Sequence, residues 1–296
     1  MTTPEPSQVL RSTLIGGVAI LMWSSLAVLT AWSGGVPPFQ LVAIAFTVVF
    51  LLAAVRWRLT GQRITSRLRQ PAGAWLLGVG GLFGYHFLIF YALKNAPAIE
   101  ANLINYLWPL LIVLFSATLP GESLRWRHLA GTALGLVGTG VLLGAGLAFR
   151  PEHVDGYLAA LLAAITWAGY SVLNRRFAHV PSDAVGVFCL AGAGLALVCH
   201  LLFETTVWPG DAGEWLAVLG LGLGPAGGAF FFWDHGVKHG NLRSLGAWSY
   251  TSPLMSTGLL LAAGVGTPSL RIATACALIV GGALLATHRR SHPAIR

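Results

Sequence analysis

Long apolar blocks separated by short polar connections occupy almost the whole chain. Ten blocks can be marked, at about 13–33, 39–57, 72–94, 98–119, 128–147, 156–175, 183–203, 214–236, 244–264 and 271–287. A helix needs about 20 residues to cross the hydrocarbon core of a bilayer, and each block has about that many. The expected fold is an all-α integral membrane protein with ten transmembrane helices. The connections are too short for a separate soluble domain. The first apolar run, 13–32, follows a polar segment and exceeds the apolar core of a signal peptide, which predicts an uncleaved first helix.

The polar connections orient the helices. The connection at 56–70 holds Arg56, Arg58, Arg63, Arg67 and Arg69, and placing it in the cytoplasm places all the others. Arg11, Arg125, Arg127, Arg175, Arg176, Lys238, Arg243, Arg289, Arg290 and Arg296 then share that side. Of the 18 basic residues only Lys94, Arg150 and Arg271 fall outside. This bias predicts that both termini are cytoplasmic.

Composition agrees with lipid as the main solvent. The 296 residues are 55% hydrophobic and 9% charged, with a mean hydropathy of +0.72, whereas a soluble domain carries about a quarter charged residues. The net charge of +8 is accounted for by the cytoplasmic connections, which argues against nucleic acid as a partner. Cys189, Cys199 and Cys276 lie in apolar blocks with neither CxxC nor metal-ligand spacing, so disulfides and metals are not expected. No enzyme motif stands in a suitable context, and neither catalysis nor a cofactor is expected.

The second half repeats the first at a shift of 144 residues. Trp23 pairs with Trp167, Gly80 with Gly224, Gly84 with Gly228 and Lys94 with Lys238; Tyr106, Pro109 and Leu110 pair with Tyr250, Pro253 and Leu254. The chain divides into a first five-helix repeat, 1–150, and a second, 151–296. Five helices per repeat place the two in opposite orientations, a recurrent transporter design with the substrate site between the halves near the midplane.

Candidate chemistry sits on deep polar and aromatic positions. No Asp, Glu, Lys or Arg lies near the middle of a block, so a cation antiporter or a phosphate carrier lacks its expected charge, and a net neutral substrate fits better. His86 is the deepest ionisable residue, either a hydrogen-bonding group for substrate or a bond between helices. Asn102, Asn105, Tyr106 and Pro109 share one helix face, and Ser249, Tyr250, Ser252 and Pro253 repeat the device. Asn102 and Tyr250 are site candidates on that ground. Deep rings, including Trp23, Tyr85, Trp108, Trp167, Tyr170, Trp248 and Tyr250, carry N–H or O–H groups that lipid cannot satisfy. Trp57, Trp75, Trp126, Trp208 and Trp215 stand at block ends as interface anchors. Gly131, Gly135, Gly138 and Gly140 read as helix-packing positions.

These residues resemble the drug/metabolite transporter superfamily in its ten-helix, EamA-like form. The resemblance rests on Tyr106-Leu107-Trp108-Pro109-Leu110, Gly121-Glu122, Gly131 with Gly135, and Trp23-Ser24-Ser25. Tyr85-His86, Tyr106, Trp108 and Trp167 further resemble the aromatic amino-acid exporters of bacterial inner membranes. The resemblance implies alternating access around a central cavity lined by Trp23, His86, Tyr106, Trp108 and Trp167. Trp108 fits less simply, since an ideal helix turns it about 120° from Asn102 unless Pro109 intervenes. The implied activity is export of neutral and aromatic amino acids; nucleosides, purines or another neutral metabolite are the alternative. Oligomeric state and proton coupling are left open.

Overall fold

A computed structural model describes residues 5–120, 124–143, 150–262 and 269–287. The Gly121-Glu122 motif and Arg289, Arg290 and Arg296 lie outside the described residues. The described chain is helical, without a strand.

In order, the helices are α1 (Pro6–Trp23), α2 (Leu26–Trp32), α3 (Pro38–Leu59), α4 (Ile64–Leu68), α5 (Ala72–Asn95), α6 (Ala98–Asn105), α7 (Trp108–Ser116) and α8 (Trp126–Leu143). The second half continues with α9 (Val154–Leu173), α10 (Val185–Phe203), α11 (Ala212–Leu223), α12 (Ala229–His239), α13 (Leu242–Ser249), α14 (Thr251–Ala262) and α15 (Leu270–Thr287). Each expected block corresponds to one helix or to two consecutive ones. Five stretches, at 6–32, 38–59, 72–95, 151–177 and 182–203, are long and apolar enough to cross a membrane by themselves. The others are shorter or interrupted.

The interruptions have chemical causes. Ser24 and Ser25 turn their hydroxyls back onto the Ile20 and Met22 carbonyls, at 3.0 and 2.7 Å, where α1 gives way to α2. Pro109 has no N–H for the helix ladder, and the chain tightens at Tyr106 and Leu107 between α6 and α7. Gly224-Pro225-Ala226-Gly227-Gly228 separates α11 from α12 through wide backbone bonds such as Gly228 N–H to the Gly222 carbonyl at 3.0 Å. A Cβ on Gly227 or Gly228 would overlap the carbonyl oxygens of Gly222 or Leu223, so only glycine fits there.

Small residues let the helices approach closely. A side chain at Gly131 would come 2.5 Å from the Gly282 carbonyl, and one at Gly138 would press on Ile279, which clamps α8 against α15. One correction concerns Trp57. It is fully buried, and its indole N–H donates to Asp183 at 3.0 Å, with Arg67 3.2 Å from the same carboxylate oxygen. It joins α3 to the start of α10 and is not an interface anchor. Trp126 and Trp208, at 74% and 62% exposed, do stand outward.

Candidate functional site

The interrupted helices surround a cavity of about 180 Å³. It is smaller than the ~300–1,000 Å³ of drug-sized ligand pockets and suits one small metabolite. Trp23, Tyr85, His86, Asn102, Tyr106, Trp108 and Trp167 all line it. Among the described lining residues none carries a carboxylate, ammonium or guanidinium.

The break before Trp108 explains how Asn102 and Trp108 reach the same space. Across a continuous helix they would diverge, but the turn at Tyr106 and Leu107 re-aims α7 relative to α6. Four indoles gather at one side of the cavity. Trp23 lies 4.9 Å from Trp233, 5.7 Å from Trp167 and 6.0 Å from Trp108, mostly edge-to-face or tilted. Trp233 is fully buried and donates its N–H to the Ser171 hydroxyl at 3.0 Å. Tyr85 and Trp167 add a second ring pair at 5.2 Å.

The polar groups are few and specifically oriented. His86 Nδ1 lies 2.7 Å from the Leu82 carbonyl, which can only accept, so Nδ1 carries the proton. In the neutral ring Nε2 is then an acceptor. Phe46 and Phe230 meet the imidazole edge-to-face at 5.3 and 6.0 Å and hold it in place. Asn105 donates to the Tyr85 hydroxyl at 3.1 Å, while its Oδ1 is buried without a hydrogen-bond partner. A buried orphan acceptor costs about 1–3 kcal/mol, a cost that a ligand donor relieves. Asn102 spends one amide hydrogen on the Ala98 carbonyl at 2.9 Å and keeps the other.

Tyr250 does not line the cavity. It is buried, its ring packs on Gly135, and its hydroxyl donates to the Tyr106 carbonyl at 3.1 Å. It therefore ties the break between α13 and α14 to the one between α6 and α7, two positions that the repeat makes equivalent. Ser252, two residues on, takes the lining place. Sequence reasoning missed Asn105, Ser252, Leu26, Pro225, Ala226 and Phe230 as site residues. Signals existed for three of them: Asn105 and Ser252 stand on the two polar helix faces, with Ser252 the repeat counterpart of Trp108, and Gly224-Pro225 is a helix breaker.

A second ionic group lies outside the cavity. Asp234 and Lys238 pair at 2.8 Å, both buried, with Asn174 donating to Asp234 at 2.6 Å and Lys238 donating to the Val180 carbonyl at 3.0 Å. The pair neutralises itself and leaves the cavity uncharged.

Comparison with known proteins agrees with this architecture. The EamA-like transporter family matches twice, at residues 11–144 and 154–287. Aromatic amino acid exporter YddG of Ancylobacter novellus is 56% identical over 279 residues, covering 93% of this chain and 96% of that protein. Aromatic amino acid exporter YddG of Salmonella typhimurium is 29% identical over 271 residues, covering 84% and 87%. A solved crystal structure superposes with a TM-score of 0.89 at 55% identity, covering 94% of this chain and 96% of the other. With both halves matched and identity above half along nearly the full length, the chain belongs to the EamA-like transporter family.

Proposed function

We propose that the protein exports aromatic and other neutral amino acids from the cytoplasm by alternating access, with the two repeats, 1–150 and 151–296, moving against each other. Both termini then face the cytoplasm, in keeping with the arginine-rich end of the bundle. The observation that carries the reading is an uncharged aromatic cavity that holds both an imidazole acceptor and an orphan amide oxygen.

An amino acid is a zwitterion with no net charge, so it needs no counter-ion in the protein. Its ring fits among Trp23, Tyr85 and Trp167, where each ring pair contributes about 0.5–1.5 kcal/mol. Its ammonium donates to His86 Nε2 and Asn105 Oδ1, and nearby indole faces add cation–π attraction. Its carboxylate takes the free hydrogen of Asn102 and the Ser252 hydroxyl, and gains from the positive end of α12 beside Pro225 and Ala226. A nucleoside would stack on the same rings but bring no ammonium to the two acceptors.

The test is counterflow of labelled tryptophan into liposomes holding the purified protein, with and without a pH gradient. Saturable flux that phenylalanine blocks and adenosine leaves intact is expected. The His86→Ala variant is expected to remain folded and lose about 10- to 100-fold in apparent affinity, the effect of one charge-assisted hydrogen bond of about 1.5–3 kcal/mol. No flux above empty liposomes, or equal competition by adenosine, rejects the amino-acid reading.

A further inference from the structure

A larger recess, about 730 Å³, opens at the end of the bundle where the described termini meet, between the start of α1, the starts of α8 and α13, and the end of α15. It is separate from the transport cavity. The helices α8 and α15 give that cavity no residue, and Trp248, which lines the recess and not the cavity, lies over Gly17, where an added Cβ would meet the ring at 3.7 Å.

Its lining combines basic, polar and apolar side chains. Arg125, Arg127, Arg243 and His128 face it together with Asn241 and Ser244, and among the described lining residues none is acidic. The N-termini of α8 and α13 both reach this recess and add positive partial charge. Arg127 Nε is buried without a hydrogen-bond partner, a donor that the protein desolvates and does not itself satisfy. Val9, Leu10, Trp248 and Ala286 supply the apolar part of the lining beside the cations. Leu10 and Trp126, at 58% and 74% exposed, place the mouth where apolar and polar surroundings meet, the level of lipid headgroups.

We propose that this recess binds the phosphate of an anionic phospholipid, with Arg125 and Arg127 on the headgroup and one acyl chain along Val9, Leu10 and Trp248. A phosphate diester carries one negative charge with paired oxygens that suit a guanidinium fork, and its attached chains require an apolar wall beside the cations. Basic pockets between transmembrane helices recognise anionic headgroups in this way. A free carboxylate or phosphate would use the cations but not the apolar lining. The site stands apart from the amino-acid reading and does not depend on it.

The test is native mass spectrometry of the full chain in detergent with phosphatidylglycerol, phosphatidylcholine, inorganic phosphate or tryptophan, paired with melting curves. Phosphatidylglycerol is expected to be retained and to raise the melting temperature, with phosphatidylcholine doing neither. Arg125→Gln/Arg127→Gln is expected to lower phosphatidylglycerol retention by about fivefold for each arginine removed. Arg56→Gln/Arg58→Gln, which deletes two charges from the same end outside the recess, is expected to retain it. Should the arginine variant not fold, Ser7→Trp plugs the recess from an exposed position and is expected to abolish retention. Retention unchanged in the recess variants, equal retention of phosphatidylcholine, or displacement of the lipid by phosphate or tryptophan overturns the proposal.

Discussion

The first and eighth transmembrane segments, α1/α2 and α11/α12, pack against each other, as do the sixth and third, α9 and α5. The 144-residue shift carries one pair onto the other, yet both members of the former are broken and both members of the latter are continuous. The difference is chemical. Trp23-Ser24-Ser25-Leu26 stands where the sixth segment has Trp167-Ala168-Gly169-Tyr170, and Gly224-Pro225-Ala226-Gly227-Gly228 stands where the third has Gly80-Gly81-Leu82-Phe83-Gly84. Serine back-bonding and a proline without an N–H interrupt one pair; alanine, leucine and phenylalanine continue the other. The continuous pair supplies the cavity with Tyr85, His86 and Trp167 on rigid rods. The broken pair supplies Leu26, Pro225 and Ala226 at its turns. Duplication thus furnished two copies of one packing, of which one is continuous and the other broken at both of its members.

The largest expected effect breaks this comparison at one matched glycine. Gly228→Ala would push a methyl into the Leu223 carbonyl, where only backbone could yield, while at Gly84 the nearest atom to an added Cβ is Thr166 Cγ2 at 4.0 Å. We expect Gly228→Ala to cost about 3 kcal/mol or more and to abolish flux. Gly84→Ala should be neutral or stabilising by up to about 1 kcal/mol, because alanine favours helix. Melting curves and tryptophan counterflow check both. Equal behaviour of the two variants would show that the break between α11 and α12 constrains nothing.

A smaller effect is expected where each pair touches. Added Cβ atoms at Gly16 and Gly236 would come 2.9 and 2.5 Å from the other residue's Cα, whereas the matched positions of the continuous pair are the buried Ala160 and Ala92. Gly236→Ala should cost about 1–3 kcal/mol by forcing α12 off α1. Ala92→Gly should cost about 2 kcal/mol, from helix propensity and a lost buried methyl, with no displacement of α5 from α9. The melting temperatures of the two variants rank the contacts; a larger loss at Ala92 would mean that the continuous pair is the tighter one.

The apolar blocks and most of the residues that line the cavity were legible in the sequence, because 20-residue apolar blocks and the Trp23–Trp167 and Tyr106–Tyr250 matches are local or periodic signals. What escaped depends on partners far away in the chain. Trp57 reads as an anchor by its place at a block end, and only Asp183, 126 positions on, turns it inward. Tyr250 reads as a cavity residue because it shares a polar helix face with Ser249, Ser252 and Pro253, but its hydroxyl donates to the Tyr106 carbonyl, so one member of the matched pair lines the space and the other braces it. Asn105 shares a helix face with Asn102, and what sets it apart is that Tyr85 takes its amide and leaves its oxygen unsatisfied.

The smallest expected effect concerns the two serines. In the described fold their hydroxyls bond the Ile20 and Met22 carbonyls at the start of the break, a contact that bends a helix without adding much to its stability. Ser24→Ala/Ser25→Ala should therefore shift stability by no more than about 1 kcal/mol, since neither carbonyl moves into a drier place. Phenylalanine should compete as before, because Trp23 and Leu26 keep their neighbours. The expected change is in turnover: a first segment that resembles the continuous sixth should rock more slowly, and single-turnover counterflow should fall severalfold at saturating tryptophan. Unchanged turnover would mean that the break is held by the packing of α2 on α11, and that the serines record it without causing it.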